Sequence, residues 1–358
     1  MKLAIDCRYV GKSGIGTFAE NVIFELMEHH SEYDYLLICN PSQSYLFQEK
    51  NVKILVTKIK PFTWKEMFLF PVSQINQCDA YFSPYINIPI GIKIPIFCTI
   101  HDVIFLDRKE LTTKLGYVTR KWTLKYAVWK SQSIFTVSEF SKQRIIFHLH
   151  PKKNVIVTYN GINQHLKRNC ERKIPNKQNY IVYVGNIKQH KGLSILLEAY
   201  KAARKKGFDK DLVIVGNEKN FRTVDKSVTN IINNPSVKFT GYVSDDILQE
   251  YIMNAAFLIL PSFYEGFGIP PLEALYLGTD VIVSDIEVLQ EVYSNLPVTF
   301  FKVGSSVDLC QKLLESKHVT WDVNEIRQLI AQRYSSKRMV DIILPEIHKC
   351  IEKIEKQK

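Results

Sequence analysis

The stretch Pro261–Asp285, PSFYEGFGIPPLEALYLGTDVIVSD, decides the fold. Phe257 to Leu260, just before it, is a short apolar run of strand type, and Val281-Ile282-Val283 begins another. Between them a Gly/Pro-punctuated loop, Gly266-Phe267-Gly268-Ile269-Pro270-Pro271, leads into a helical segment, Leu272–Leu277, that Gly278 ends. The proline pair suits a first helical turn, where a missing N–H costs nothing. Strand, glycine loop, helix, strand is the layout of a parallel α/β sheet, and it aims a helix N-terminus at an anion. Two acids, Glu265 and Glu273, flank the loop, the first before it and the second on the helix.

The same alternation runs outward in both directions. Toward the N-terminus, strands are predicted at Leu3-Ala4-Ile5, Tyr35–Cys39, Val52–Val56, Asp79–Phe82, Ile94–Ile100, Ile134–Val137 and Val155–Val157. A polar, basic, aperiodic stretch, 166–178, reads as a linker. A second set then begins with Ile181–Val184, Leu212–Val215 and Val237–Thr240, and Val298–Phe301 follows the 261–285 stretch. Two parallel-sheet domains are therefore expected, over 1–165 and 179–335. The final helical segment, 336–358, is long enough to pack back across both. A length of 358 residues suits two domains of roughly 150 each.

Composition excludes several classes. Apolar residues make up 46% and charged ones 23%, ordinary for a globular chain. Seven scattered cysteines without CxxC spacing argue against a disulfide framework or zinc site and for a reducing compartment. Asp6 and Arg8 inside the first apolar run exclude a signal peptide reading, and no run approaches the ~18 apolar residues of a membrane span. A cytoplasmic protein is expected. The net charge of +11 is uneven: residues 101–153 hold 11 Lys+Arg against 4 Asp+Glu, so +7 arises there. That stretch lacks a recognisable nucleic-acid-binding module, and no nucleic acid is expected as a partner.

Gly14-Ile15-Gly16-Thr17-Phe18-Ala19 formally matches the dinucleotide fingerprint. The glycines come eight residues after Asp6, however, and the next strand ends in Cys39-Asn40 with no acid for a ribose. The glycines instead read as a loop before a helix, open to close approach by a ligand. His101-Asp102 follows a strand, where ligands of parallel sheets bind, so His101 is a candidate functional residue. Thr113–Ser131 is predicted helical, with Leu115, Val118, Trp122, Tyr126 and Trp129 on one face and Lys114, Lys121 and Lys125 on another. Packing of the apolar face into the core is the default. Trp and Tyr beside lysines also fit docking on an anionic membrane. FTWKEMFLF, residues 62–70, is likewise read first as a buried helix face. Asp209-Lys210-Asp211 precedes a strand and reads as a surface turn, and His148-Leu149-His150 as a helix end without a third metal ligand.

Together these motifs resemble the retaining glycosyltransferases of family 4. The pieces occur in that family's order: Ser13–Gly16, Thr99–Asp102, Val137–Ser141, Asn160-Gly161-Ile162, Tyr183–Asn186 through His190–Gly192, and Pro261–Gly278 with its paired glutamates. The resemblance implies an α/β, GT-B fold, with two Rossmann-like parallel-sheet domains facing a central cleft. It implies a hexosyltransferase that takes a nucleotide sugar such as a UDP-, GDP- or dTDP-hexose as co-substrate, without a cofactor or metal. The acceptor would be a saccharide or lipid-linked saccharide of capsule, exopolysaccharide or O-antigen type, met at the inner face of the membrane. By position, Glu265 would hold sugar hydroxyls and Glu273 the ribose, while Lys191, with Lys188, would neutralise the diphosphate. Backbone at Gly266, Phe267, Gly268 and Ile269 would face the same phosphates, as would Gly14 and Gly16 from the other domain. His101 would lie by the sugar.

Two departures stand out. Asn186 occupies a position where many members carry arginine, and Asp280 stands where the family has proline. A sugar phosphorylase or a nucleotide-sugar epimerase shares the phosphate site. A non-catalytic partner subunit would be expected to lack Glu265, Glu273, His101 or Lys191, and all four are present. Oligomeric state is not encoded in any of these motifs.

Overall fold

The computed structural model describes residues 1–11, 13–47, 49–162, 166, 177–216, 234–316 and 321–356. It divides into two compact units. The first comprises Met1–Asn163 with Tyr334–Lys358, and the second Gln164–Arg333. Most of the expected linker lies outside the described residues.

The first unit is built on a seven-stranded sheet of order β3-β2-β1-β4-β5-β6-β7. Its strands are β1 (Lys2–Asp6), β2 (Asp34–Cys39), β3 (Val52–Val56), β4 (Ala80–Ser83), β5 (Ile96–Thr99), β6 (Ser133–Thr136) and β7 (Val155–Val157). All pairings are parallel. β4, β5 and β6 are buried at every position and, apart from the small hydroxyl residues Ser83, Thr99, Ser133 and Thr136, are apolar, as strands covered on both faces tend to be. The helix Ser336–Glu355 belongs to this unit: Ser133 Oγ donates to Glu346 Oε1 (2.6 Å), and Ile162 N–H donates to Tyr334 O (3.0 Å). Gly161 is fixed by that helix, since a Cβ there would stand 2.7 Å from the Ser336 nitrogen.

The second unit carries a six-stranded sheet of order β10-β9-β8-β11-β12-β13. These strands are β8 (Tyr180–Val184), β9 (Asp211–Val215), β10 (Val237–Gly241), β11 (Phe257–Leu260), β12 (Asp280–Ser284) and β13 (Val298–Phe301). They too run parallel, with Phe257 opposite Ile181 and Asp280. Counted within each unit, the order reverses beside the first strand, between β1 and β4 and between β8 and β11. Such reversals splay the two flanking loops apart and open a crevice at the carboxyl ends of the strands. Two Rossmann-like parallel-sheet units of GT-B class are thus present, as expected.

Two aromatic segments face the other way from the expected core placement. In the helix Lys114–Lys130, Leu124, Ala127 and Val128 are buried, whereas Leu115, Val118, Trp122 and Trp129 are exposed. The aliphatic stripe Leu124, Ala127 and Val128, spaced i, i+3, i+4, joins the core of this unit, and the face carrying the indoles is turned outward. In 62–70, Phe62, Trp64, Phe68 and Leu69 are exposed, and Glu66 and Phe70 are the buried members.

Candidate donor-binding site

The loops after β8 and β11 meet at the reversal of the second sheet. After β8 the chain turns through Gly185 (φ 154°), whose N–H donates to Val215 O at 3.2 Å and whose carbonyl would lie 2.5 Å from a Cβ at Gly216. Asn186 and Lys188 stand exposed on this loop. Gln189–Lys191 forms one 3-10 turn and Gly192 (φ 66°) caps it. A Cβ at Gly192 would lie 1.9 Å from Pro261 O, so only glycine lets the two loops close. Phe263 N–H, donating to His190 O at 2.8 Å, fastens them. His190 is held neutral, its pKa pushed down to about 4 by burial and then by Lys191.

This contact brings Lys191 to Glu265. The ammonium donates to both carboxylate oxygens, at 2.8 and 2.7 Å, and Ser262 Oγ donates to Oε1 at 2.7 Å. Glu265 is 8% exposed and Lys191 25%. An ammonium has three N–H donors, so one remains for a further acceptor such as a phosphate oxygen. Beneath them lies the Tyr183 hydroxyl. It is fully buried, without a hydrogen-bond partner among the described residues, and its pKa is driven well up by burial and the Glu265 charge. Buried polar atoms are nearly always bonded, so this one is an open valence at the site. Neither Ser262 nor Tyr183 carries a sequence signal that would have singled it out.

Downstream, Gly268 (φ 86°) is the N-cap of the helix Ile269–Tyr276, with proline in its first turn. The Tyr293 hydroxyl donates to Gly268 O, which holds the cap in place. Phe267 is buried, while Gly266 and Ile269 are half-buried. The amides at this N-terminus carry the positive end of the helix dipole. Glu273, half-buried on the same helix, has its carboxyl pushed up to about 7 by burial and then by the Asp245 charge. Asp280 has a structural account: its Oδ1 accepts from Trp321 Nε1 at 2.8 Å, and its charge supports Lys177, whose ammonium donates to Met253 O and Thr279 Oγ1.

His101, Gly14 and Gly16 lie in the first unit, and each unit is described by itself. His101 follows β5. Its Nε2 is 2.8 Å from Pro84 O, and because a carbonyl only accepts, the proton is on Nε2 and Nδ1 is an acceptor. Burial drives its pKa down to about 4, so the ring is neutral at pH 7. Gly14 and Gly16 do not form a loop before the helix; they sit in the first turn of the helix Ser13–His29. A Cβ at Gly16 would lie 2.5 Å from Tyr9 O, so packing against the chain's own backbone demands glycine there. Among the described residues no group of three His, Cys, Asp or Glu is arranged to hold a metal.

Fold and site together define a protein of the GT-B class. Residues 168–317 match the family model of glycosyl transferases group 1. The chain is 27% identical over 231 residues to an uncharacterized glycosyltransferase, MJ1178, of Methanocaldococcus jannaschii, covering 63% of this chain and 59% of that one. It is 26% identical over 313 residues to the O-antigen chain mannosyltransferase RfbU of Salmonella typhimurium, covering 82% of this chain and 85% of that one. The chain thus spans less than two thirds of the first relative and most of the second. Among solved structures, Anabaena Alr3699/HepE in complex with UDP and glucose superposes with a TM-score of 0.71 at 15% identity, over 98% of this chain and 100% of that one.

Proposed function

We propose that the chain transfers a hexose from a nucleotide diphosphate sugar to a saccharide or lipid-linked saccharide, in the synthesis of a surface polysaccharide. The observation that carries this reading is the Lys191–Glu265–Ser262 cluster, set at a sheet reversal beside a helix N-terminus. Glu265 accepts twice from Lys191 and once from Ser262, which leaves one of a carboxylate's roughly four acceptor positions, on Oε2, for a charge-assisted bond from a sugar hydroxyl. The remaining Lys191 N–H and the helix amides would stabilise the diphosphate as it leaves, the charge that grows most in the transition state. Glu273 would hold the ribose diol. Support for a nucleotide sugar and for O-antigen chemistry comes from the relatives: Alr3699/HepE binds UDP and glucose, and RfbU is an O-antigen chain mannosyltransferase. Retention of configuration and independence of metal rest on the family resemblance alone.

In the first unit, a neutral His101 with Nδ1 as acceptor suits a bond from a sugar hydroxyl better than charge stabilisation. The helix Lys114–Lys130 supports work at the inner face of an anionic membrane. Leu115 (78% exposed), Val118, Trp122 and Trp129 (71%) form an outward stripe, and Lys114, Lys121, Lys125 and Lys130 flank it. No helix of the described residues is long and apolar enough to cross a membrane. A panel of UDP-, GDP- and dTDP-sugars screened by thermal shift tests the donor reading, because a ligand of the folded state raises its melting temperature. One member of the panel should do so, and Lys191→Ala should abolish the shift. An equal shift in that variant refutes the site.

A further inference from the structure

At the carboxyl ends of β1, β2 and β3 a second built site lies wholly within the first unit. Its base is Arg8, fully buried, which spends its guanidinium on the protein itself. Nε donates to Asp6 Oδ1 (2.9 Å), Nη1 to Ile59 O (3.0 Å), and Nη2 to Asp6 Oδ2 (2.6 Å), to the Tyr85 hydroxyl (2.6 Å) and to Glu66. Glu66, buried as completely, accepts from Asn87 and, through Oε2, from the Phe62 N–H at 2.7 Å. Thr63-Trp64-Lys65-Glu66 is a capping box whose acid reaches one residue further back than usual.

What this network holds is strained and exposed. Phe62 has φ 61°, a left-handed conformation that a bulky aromatic residue seldom adopts, yet its ring is 51% exposed. Backbone strain maintained by a buried network marks functional loops. The ring stands 5.6 Å from Tyr9 and 5.8 Å from Tyr85, edge-on to the former. Beside it opens a cavity of about 530 Å³ lined by Arg8, Tyr9, Asn40, Ser42, Lys58 and Lys60 together with two prolines. Lys58 and Lys60 are exposed, and among the described residues neither has a carboxylate within ion-pair distance. Two uncommitted cations, the Tyr9 ring and a serine hydroxyl at the crevice of a parallel sheet, with the exposed Phe62 ring against Tyr9, are the fittings of a site for a sugar that carries negative charge.

We propose that this cavity binds the acceptor, and that the acceptor is a saccharide bearing a carboxylate or phosphate. Tyr9, with Phe62 packed against it at the rim, takes the apolar face of a ring, and Lys58 and Lys60 meet the anion. The proposal rests on the glycosyl-transfer reading above. It is tested by calorimetry at low and high salt with three probes: a hyaluronan tetrasaccharide, glucose 1-phosphate and neutral maltotetraose. The intact chain should bind one of the anionic probes at least roughly tenfold tighter than maltotetraose, with the preference falling at high salt. Which of the two binds identifies the anion. Lys58→Gln/Lys60→Gln should erase the preference. Phe62→Gly should weaken all saccharides several-fold without lowering the melting temperature, since glycine accepts that φ. Equal binding of charged and neutral probes overturns the proposal, as does a preference that survives in the double variant. So does UDP binding that depends on Lys58 and Lys60, which would make this a nucleotide site. Stabilisation of the same samples by UDP, GDP or dTDP reports on the donor reading separately: its absence with all three nucleotides in every sample sinks glycosyl transfer, while the saccharide preference still decides the cavity.

Discussion

Replacing Glu273 with glutamine gives a quantitative test of the donor site. Its carboxyl is pushed from 4.5 to about 7, first by burial and then by Asp245. Between those values the folded chain holds a proton that the unfolded chain has released. Stability present below pH 4.5 is therefore lost as pH rises, and the loss is complete above about 7. Moving a carboxyl across that range corresponds to ~3 kcal/mol. Glutamine carries no such cost. Glu273→Gln should match the parent in urea unfolding at pH 4 and exceed it by up to ~3 kcal/mol at pH 8. A site that destabilises the empty protein is one kept for a ligand, so the same variant should bind a nucleoside diphosphate more weakly, because an amide cannot accept both bonds of a ribose diol. Parent affinity should also rise with pH through about 7 as the carboxylate forms. A stability difference that does not vary with pH, or a variant weaker than the parent at pH 8, refutes the reasoning.

Other outcomes follow from the same geometry. Lys191→Ala leaves the nearly buried Glu265 with Ser262 as its remaining side-chain donor. It should cost ~1–3 kcal/mol in denaturant unfolding and slow transfer by orders of magnitude, and near-parental turnover would remove Lys191 from the chemistry. Gly192→Ala, with a Cβ 1.9 Å from Pro261 O, should destabilise by more than ~2 kcal/mol and abolish donor binding; Gly207→Ala, with nothing near its Cβ, should cost only about 1 kcal/mol. Nitrogen NMR of His101 should show the Nε2-protonated tautomer at pH 7 and no titration until near pH 4; a midpoint near 6.5 contradicts the buried environment. Trp122→Ser/Trp129→Ser should leave stability within ~0.5 kcal/mol yet abolish flotation with anionic vesicles, and full flotation of the variant would count against that surface.

Phe257–Leu260 was legible because a strand covered on both faces is a continuous apolar run, and the half-exposed edge strand Val52–Val56 because of its β-branched residues; both were bounded as they fold. The glycine-loop helix was legible for its own reason, since a positive φ at Gly268 and prolines in a first turn are local facts. Which side of Lys114–Lys130 faces the core was not. Its sequence carries both a Leu124/Ala127/Val128 stripe and a larger aromatic one, and only the space left by the sheet chooses between them. The buried role of Glu66 was hidden because its partner, Arg8, is 58 residues away. Lys191 and Glu265 are 74 residues apart, and what joins them is the adjacency of β8 and β11, a property of strand order. Gly16 looked like a ligand loop because close approach to a ligand and close approach to one's own backbone demand the same residue.

The most direct test is calorimetric titration of UDP, GDP and dTDP into the intact chain and into Lys191→Ala at one pH and salt. If the reversal between β8 and β11 is the donor site, one nucleotide binds the parent and its affinity falls roughly tenfold or more in the variant, the loss of one charge-assisted contact. Equal affinity in the two proteins, or no binding of any of the three nucleotides to the parent, contradicts it.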